Sequence, residues 1–279
     1  MKVNKLWAAL LATTFGLAAT MTPMVVEAQA KKKAAAAPAM MGPATAKKPI
    51  ALEPASLKWG MTTKQVGAAI DAQLDEAYKP LYQKVSPGVK MRALDAQLLE
   101  DKNAFRRSKI EFGKLPTAVD NGPLRGEYSY LNQEWMLSQT RDGKTRYFFF
   151  IQDKLWKIID EIKLAKGGPL GANFQEAAVK LSTTYGTPGR IIPPNPDLGW
   201  YSTVIDWKDQ ASHVRLIERG DAAIAIAYED NATLGNLESL RPNKPKQEDA
   251  IDPAVAAAIR GPDPDPTPPP APADAKKKK

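Results

Sequence analysis

Two eight-residue runs, Glu134–Arg141 and Lys144–Ile151, flank the dipeptide Asp142-Gly143. Asp-Gly tolerates the positive φ of a two-residue turn, so the segment reads as an antiparallel β-hairpin. In the second run, Tyr147, Phe149 and Ile151 fall on one side and Phe148 and Phe150 on the other. A strand apolar on both sides is either covered on both faces, or covered on one face and free to bind on the other. A chain that contains it has to build an antiparallel sheet and lay something against it.

An order of helix, then strands, occurs twice around this hairpin. The first helix starts at Thr62, with Gln65 at the spacing of a capping box, and its stripe is Val66, Ile70, Leu74, Ala77 and Leu81. A further helix is expected over Met91–Ala104 and a strand over Arg107–Phe112. The hairpin and a third strand, Leu155–Leu164, follow. The second main helix starts at Asn173 with Glu176 three residues on, and shows Phe174, Ala178, Leu181 and Tyr185 on one face. Gly186 and Pro188 stop it. Tyr201–Lys208, Ser212–Arg219 and Ala222–Tyr228 then read as three strands, the last two joined by Arg219-Gly220-Asp221. In the final strand Ile224, Ile226 and Tyr228 oppose Ala223, Ala225 and Ala227, and the alanines leave room for a close neighbour. The expected fold class is α+β: two helix-plus-antiparallel-meander units packed as a helix-on-sheet layer structure, with disordered termini.

The charge sits outside this body. The chain has 279 residues and a net charge of +8, yet residues 51–240 carry 24 basic and 24 acidic side chains. Residues 1–50 hold 7 basic against 1 acidic, and 241–279 hold 8 against 6. A nucleic-acid-binding domain carries its positive field on the folded surface, so no nucleic-acid partner is expected. Lys2 and Lys5 precede an apolar run, Leu6–Val26, that ends near Ala28-Gln29-Ala30, the pattern of a secretory signal peptide. The run is also about long enough to stay as an anchor; cleavage is the favoured reading, with a periplasmic or secreted product. The chain has no cysteine, which excludes disulfides, thiolate metal sites, a cysteine nucleophile and an amino-terminal lipid anchor. Lys31–Pro49 lacks an apolar period, and Arg241–Lys279 contains ten prolines and ends in four lysines. A short helix over Asp252–Arg260 is the one element expected there. The expected division is 1–30 signal peptide, 31–56 disordered Lys/Ala/Pro linker, 57–166 first α+β unit, 167–240 second α+β unit, and 241–279 disordered tail.

No reactive constellation stands out. Gly143-Lys144-Thr145 echoes a phosphate loop, but Ser138 stands where its first glycine belongs and a strand follows instead of a helix. His213, the single histidine, reads as a half-exposed strand residue, and no G-x-S-x-G is present. The adjacent acids Glu100-Asp101, Asp160-Glu161 and Glu229-Asp230 read as solvated; on a strand such neighbours face opposite ways. Arg146-Tyr147-Phe148-Phe149 lacks the glycine of an RNA-stacking strand. The expectation is a non-catalytic binding or scaffolding protein of the cell envelope, without cofactor or metal. Trp135, Phe148, Phe150 and Trp156 are its candidate binding surface. Lys31, Lys32, Lys33, Lys276, Lys277, Lys278 and Lys279 would attract anionic envelope polymers or lipid head groups. Partners would be another envelope protein or an anionic polymer, with peripheral membrane contact. The alternative is an envelope hydrolase working through a carboxylate pair.

At Trp59-Gly60-Met61-Thr62 and Val66 the chain resembles the G-M-[ST]-x-x-x-V helix start of SmpA/OmlA-type small outer-membrane proteins of the β-barrel assembly machinery. Tyr185-Gly186-Thr187-Pro188 is similar to the G-x-P helix exit of that family and of β-lactamase-inhibitor-protein-like folds. The resemblance implies helices set against an antiparallel sheet, in tandem copies. The stretch Met91–Phe112 and the absence of a lipid-carrying cysteine depart from the small lipoprotein pattern. The chain as a whole also looks like exported proteins of Gram-negative envelopes.

Overall fold

The computed structural model describes residues 42–114, 116–220 and 222–243. In chain order they form β1 (Ala44–Thr45), α1 (Thr63–Tyr82), α2 (Val89–Arg107), β2 (Ile110–Glu111), β3 (Glu134–Arg141), β4 (Lys144–Ile151), β5 (Lys154–Lys163), α3 (Phe174–Tyr185), β6 (Arg190–Ile192), β7 (Val204–Lys208), β8 (Ser212–Glu218), β9 (Ala223–Asp230), α4 (Asn231–Gly235) and α5 (Leu237–Leu240). The architecture is α+β. All strands join one sheet in the order β1-β7-β8-β9-β5-β4-β3-β2, with β6 beside β1 on the outer edge of β7. Every pairing is antiparallel except β1 with β7. The two meanders, β3-β4-β5 and β7-β8-β9, meet at their last strands, where Ile158 faces Tyr228 and Asp160 faces Ile226. The two expected units are therefore halves of one sheet.

Local chemistry explains the boundaries. Asp142 (φ 51°) and Gly143 (φ 73°) occupy the left-handed conformations of a type I′ turn, which suits the twist of β3 and β4. Thr62 and Gln65 cap α1 reciprocally, and Asn173 caps α3. Gly186 ends α3 at φ 74°.

Cross-strand partners share a face, so the register sorts the side chains into two layers. On one layer α1 lays Val66, Ile70, Leu74 and Tyr78 over Phe148, Phe150, Leu155 and Ile158. Phe105 of α2 meets Phe148 edge-on at 5.5 Å. Further along the same layer, α3 places Phe174, Ala177, Leu181 and Tyr185 on Ile205, Trp207, Leu216 and Ile226. Tyr228 packs against both groups. Within α1, Tyr78 takes the inner position expected of Leu81, which is 41 % exposed.

Among the described residues no long helix covers the opposite layer. There the irregular segment 112–131 and the short α4 and α5 close over Met136, Phe149, Ile151, Ile159 and Ile217, with Leu234, Leu237 and Leu240 partly buried at the rim. Ala225 and Ala227 lie fully buried in this layer, where their small side chains permit the close approach. Arg241 fastens the end of the strap through paired bonds of 2.7 and 2.8 Å to buried Glu134. Asn243 exchanges bonds of 2.9 Å with Asn132.

Two expectations need correcting. Of the linker 31–56, residues 42–56 belong to the fold: Ala44–Thr45 form β1, and Ile50 is buried in the layer beneath α3. Backbone pairing with β7 supplies the order that an apolar period does not. Of the tail 241–279, Arg241–Asn243 dock as described. The signal segment, the lysines at 31–33 and 276–279, and the helix at Asp252–Arg260 lie outside the described residues.

Candidate functional site

Strand register brings together a row of ionisable side chains that are scattered in sequence. On the layer facing the irregular segment, Arg190, Asp206 and Arg215 are successive cross-strand partners, as are His213, Glu229 and Lys157. Arg190 binds Asp206 through Nε at 2.9 Å and through Nη2. His213 bridges two carboxylates, Asp206 at 3.2 Å and Glu229 at 3.0 Å. Arg215 forks onto Glu229 (2.8 and 3.1 Å) and onto Glu127 of the covering segment (2.7 and 3.2 Å). Lys157 donates to the Glu127 carboxylate at 2.7 Å and lies 3.6 Å from Glu229. The belt alternates in sign and is neutral when the imidazole is neutral.

His213 is thus more enclosed than a half-exposed strand residue: its side chain is 15 % exposed and lies between two acids. Glu229 is likewise not solvated, since its side chain is 6 % exposed. Asp160, on the helical layer, is buried against the Arg146 fork at 2.5 and 2.6 Å, and Arg146 also donates to the Glu53 carbonyl. Asp160 and Glu161 do face opposite layers, as alternation requires.

These pairings set the protonation. Burial resists ionisation of Glu127, but the charges of Lys157 and Arg215 outweigh it and hold its carboxyl down at about 2. Glu229 is lowered too: burial opposes, and Arg215, the His213 hydrogen bond and Lys157 prevail. For His213 burial favours the neutral ring, yet the bonds to Asp206 and Glu229 raise its pKa above 6.5. The groups facing that ring are Asp206 from β7, Glu229 from β9, Arg215 on its own strand and the cross-strand Lys208.

The sign for stability follows by linkage. The raised His213 contributes fully below about 6.5, and that contribution fades as pH rises through the folded-state value. The lowered Glu127 and Glu229 contribute fully above about 4.5, and are lost as pH falls through their folded-state values. Unfolding free energy measured by urea titration is therefore expected to peak between about pH 4.5 and 6.5. His213 is the sole histidine, so H213Q should flatten the decline above pH 6.5. A wild-type curve that climbs steadily from pH 5 to 8 would contradict the bridge.

A separate open groove of about 670 Å³ runs between α1 and the α2–β3 side. Gly67 and Ala68 form its low wall, Phe105 and Leu137 its apolar floor, and Lys64, Arg106 and Lys109 its cationic rim. A Cβ on Gly67 would meet nothing within 4 Å, so this glycine leaves the space open. The acids of the groove are engaged. Asp71 pairs with Arg106, and Asp153 accepts from the backbone N–H and the hydroxyl of Thr63 at 3.0 and 2.6 Å. The Thr63 hydroxyl also accepts from Trp135 Nε1 at 3.0 Å. Lys64 has no ion pair among the described residues.

The four expected aromatic contacts separate accordingly. Phe148, Phe150 and Trp156 are at most 1 % exposed, so they are core and not surface. Their strands are covered on both layers, and the apolar alternation that drew attention to them is the mark of that burial. Trp135 alone stands beside the groove, half-buried, with Lys109 4.7 Å above its ring. Missed in the sequence were Lys64, Gly67, Arg106 and Lys109, whose convergence depends on the α1–α2 pairing. Among the described residues no group of three or more His, Cys, Asp or Glu has the arrangement of a metal site, and no helix is long and apolar enough to cross a membrane.

No family model matches the chain, and comparison with curated proteins and with solved structures finds no match either.

Proposed function

We propose that this is an exported, non-catalytic binding protein of the cell envelope, and that the α1–α2 groove receives an acidic, partly apolar segment of another envelope protein. The observation that carries the reading is the groove itself: an apolar floor, and a rim where Arg106 holds Asp71, Lys109 pairs with the exposed Glu111 at 2.5 Å, and Lys64 has no ion pair among the described residues. A segment that buries one or two apolar side chains on Phe105 and Leu137 would set a carboxylate against Lys64. The alternative, hydrolysis by paired carboxylates, draws less support. Asp206 and Glu229 converge on His213, but both are lowered and cation-bound, whereas a general acid needs a raised carboxyl.

The test is a photo-crosslinker at the exposed Ala68, with the captured protein purified and its binding measured directly. G67L is expected to fill the groove and weaken that binding about tenfold or more. Its stability should be unchanged or higher, because leucine is the better helix former by roughly 0.5–1 kcal/mol. Undiminished capture by G67L, or turnover of a substrate by the purified chain, would refute the proposal.

A further inference from the structure

The chain leaves its last described residues beside the α1–α2 groove. Arg241 is held by Glu134, and Asn243 exchanges hydrogen bonds with Asn132 and donates to the Leu131 carbonyl at 2.8 Å. The exit is therefore fixed at the start of β3. Trp135, three residues after Asn132, turns its indole to the helical layer and donates to Thr63, which lines the groove. Three residues span at most about 10 Å, and the five residues 244–248 reach up to about 17 Å. A turn around the edge of β3 is enough to bring the following residues to the groove.

Those residues are acidic and partly apolar. Positions 247–259 carry Glu248, Asp249 and Asp252 and no basic side chain. Ile251, Val255 and Ile259 follow one another at four-residue steps, the spacing of one helix face. Asp252 as cap and Pro253 at the first helical position mark the start of that helix in the sequence. The order along the tail also matches the order along the groove. The acids come first on the tail, and Lys64, in the first turn of α1, comes first on the groove. That turn holds no acid of its own, so a carboxylate brought there meets the unpaired ammonium and the positive end of the helix together. Gly67 and Ala68 follow along α1 as the low wall, and the alanines between Val255 and Ile259 suit a close approach to it.

We infer that residues 248–259 of the same chain dock in the α1–α2 groove as a short helix, with the acids at Lys64 and the isoleucine–valine face on Phe105 and Leu137. The inference rests on the groove being a segment-binding site and adds that the chain carries its own competitor for it. The tether supplies most of the affinity. A short linker sets an effective concentration of order mM, so a contact with a dissociation constant of about 0.1 mM is formed most of the time. An acidic segment from outside has to displace the tail, and its apparent affinity falls by the fraction of grooves left open.

The full-length chain with a benzophenone photo-crosslinker at Ala68 tests this. Equal amounts of unlabelled and nitrogen-15-labelled protein are mixed at high dilution and irradiated, and the joined peptides are identified by mass spectrometry. The expected product joins the Ala68 peptide to residues 247–260 in light–light and heavy–heavy pairs only, since the contact lies within one chain. The same probe at Leu99, exposed on α2 outside the groove lining, should give far less of it. The triple variant I251S, V255S and I259S should cut the Ala68 yield about tenfold. K64E should cut it severalfold at low salt, and adding E248K, D249K and D252K to K64E should restore it, which a damaged fold would not allow. Against the partner captured by the groove, the triple serine variant should bind more tightly than wild type. Mixed light–heavy pairs would make the contact one between copies and overturn the proposal. Equal yields from Ala68 and Leu99, or no tail peptide from Ala68, would overturn it as well. Partner capture without a tail crosslink sinks this inference and spares the groove reading; a tail crosslink without any outside partner does the reverse.

Discussion

E229A is expected to remove about 3–5 kcal/mol of stability, the range for breaking one partner out of a buried charge network. Glu229 is the junction of the belt: Arg215 at 2.8 Å, His213 at 3.0 Å and Lys157 at 3.6 Å all turn toward it. Without it, Arg215 and Lys157 share Glu127 alone, and the belt holds three permanent cations against two acids in a layer with little access to water. The remaining charges cannot move away, because Lys157 and Arg215 rise from adjacent parts of one sheet under the covering segment. Urea unfolding monitored by tryptophan fluorescence measures the effect. The sole imidazole gives a second readout, since its pKa should fall when one of its two carboxylates is gone. A loss below about 1 kcal/mol would mean that the belt behaves like a set of surface ion pairs.

W207A should be of similar size, about 3–5 kcal/mol, for a different reason. The Trp207 side chain is fully buried beneath α3, with its Nε1 donating to the Thr187 carbonyl at 3.0 Å and the Tyr185 ring 5.3 Å away. Its deletion leaves a cavity and an unpaired carbonyl. The ring also explains Gly189, where a Cβ would come within 2.6 Å of Trp207 and 2.4 Å of Ile205. G189A alone should cost about 1–3 kcal/mol by overpacking. Combined with W207A, the added methyl no longer meets the indole and only the Ile205 methyl has to shift, into the space the ring leaves, so the double variant should be more stable than the two single losses predict. Strict additivity would show that Gly189 and the indole are not in the contact described.

How far the chain was legible follows from where its information is local. Asp142-Gly143 and the two-sided apolar run announced β3 and β4 with the bounds the structure has. Thr62 with Gln65, and Asn173 with Glu176, announced the starts of α1 and α3. β1 and β6, of two and three residues, carry no period that could reveal them; they exist because β7 offers a free edge. The strap of α4, α5 and Arg241 is likewise too short to show a stripe. The belt was hidden for another reason. Asp206, His213, Arg215, Glu229 and Lys157 each occupy the polar side of an alternating strand, which ordinarily faces water. Only the register, together with an aperiodic covering segment, turns that side inward. His213 and Arg215 alternate along one strand, but nothing in the sequence placed Glu229 in their layer or said that the layer was covered. The groove was still less accessible, because it is an empty space between helices that the sequence describes one at a time.

The seam between β5 and β9 makes the last strand to be synthesised the middle of the finished sheet. A nascent chain released before about residue 223 would hold the first meander and the β7-β8 pair and yet expose the bare flanks of β5 and β8, two long unprotected templates for pairing with other molecules. Closure of the sheet therefore has to wait until residues 223–230 have been synthesised and can insert between β5 and β8.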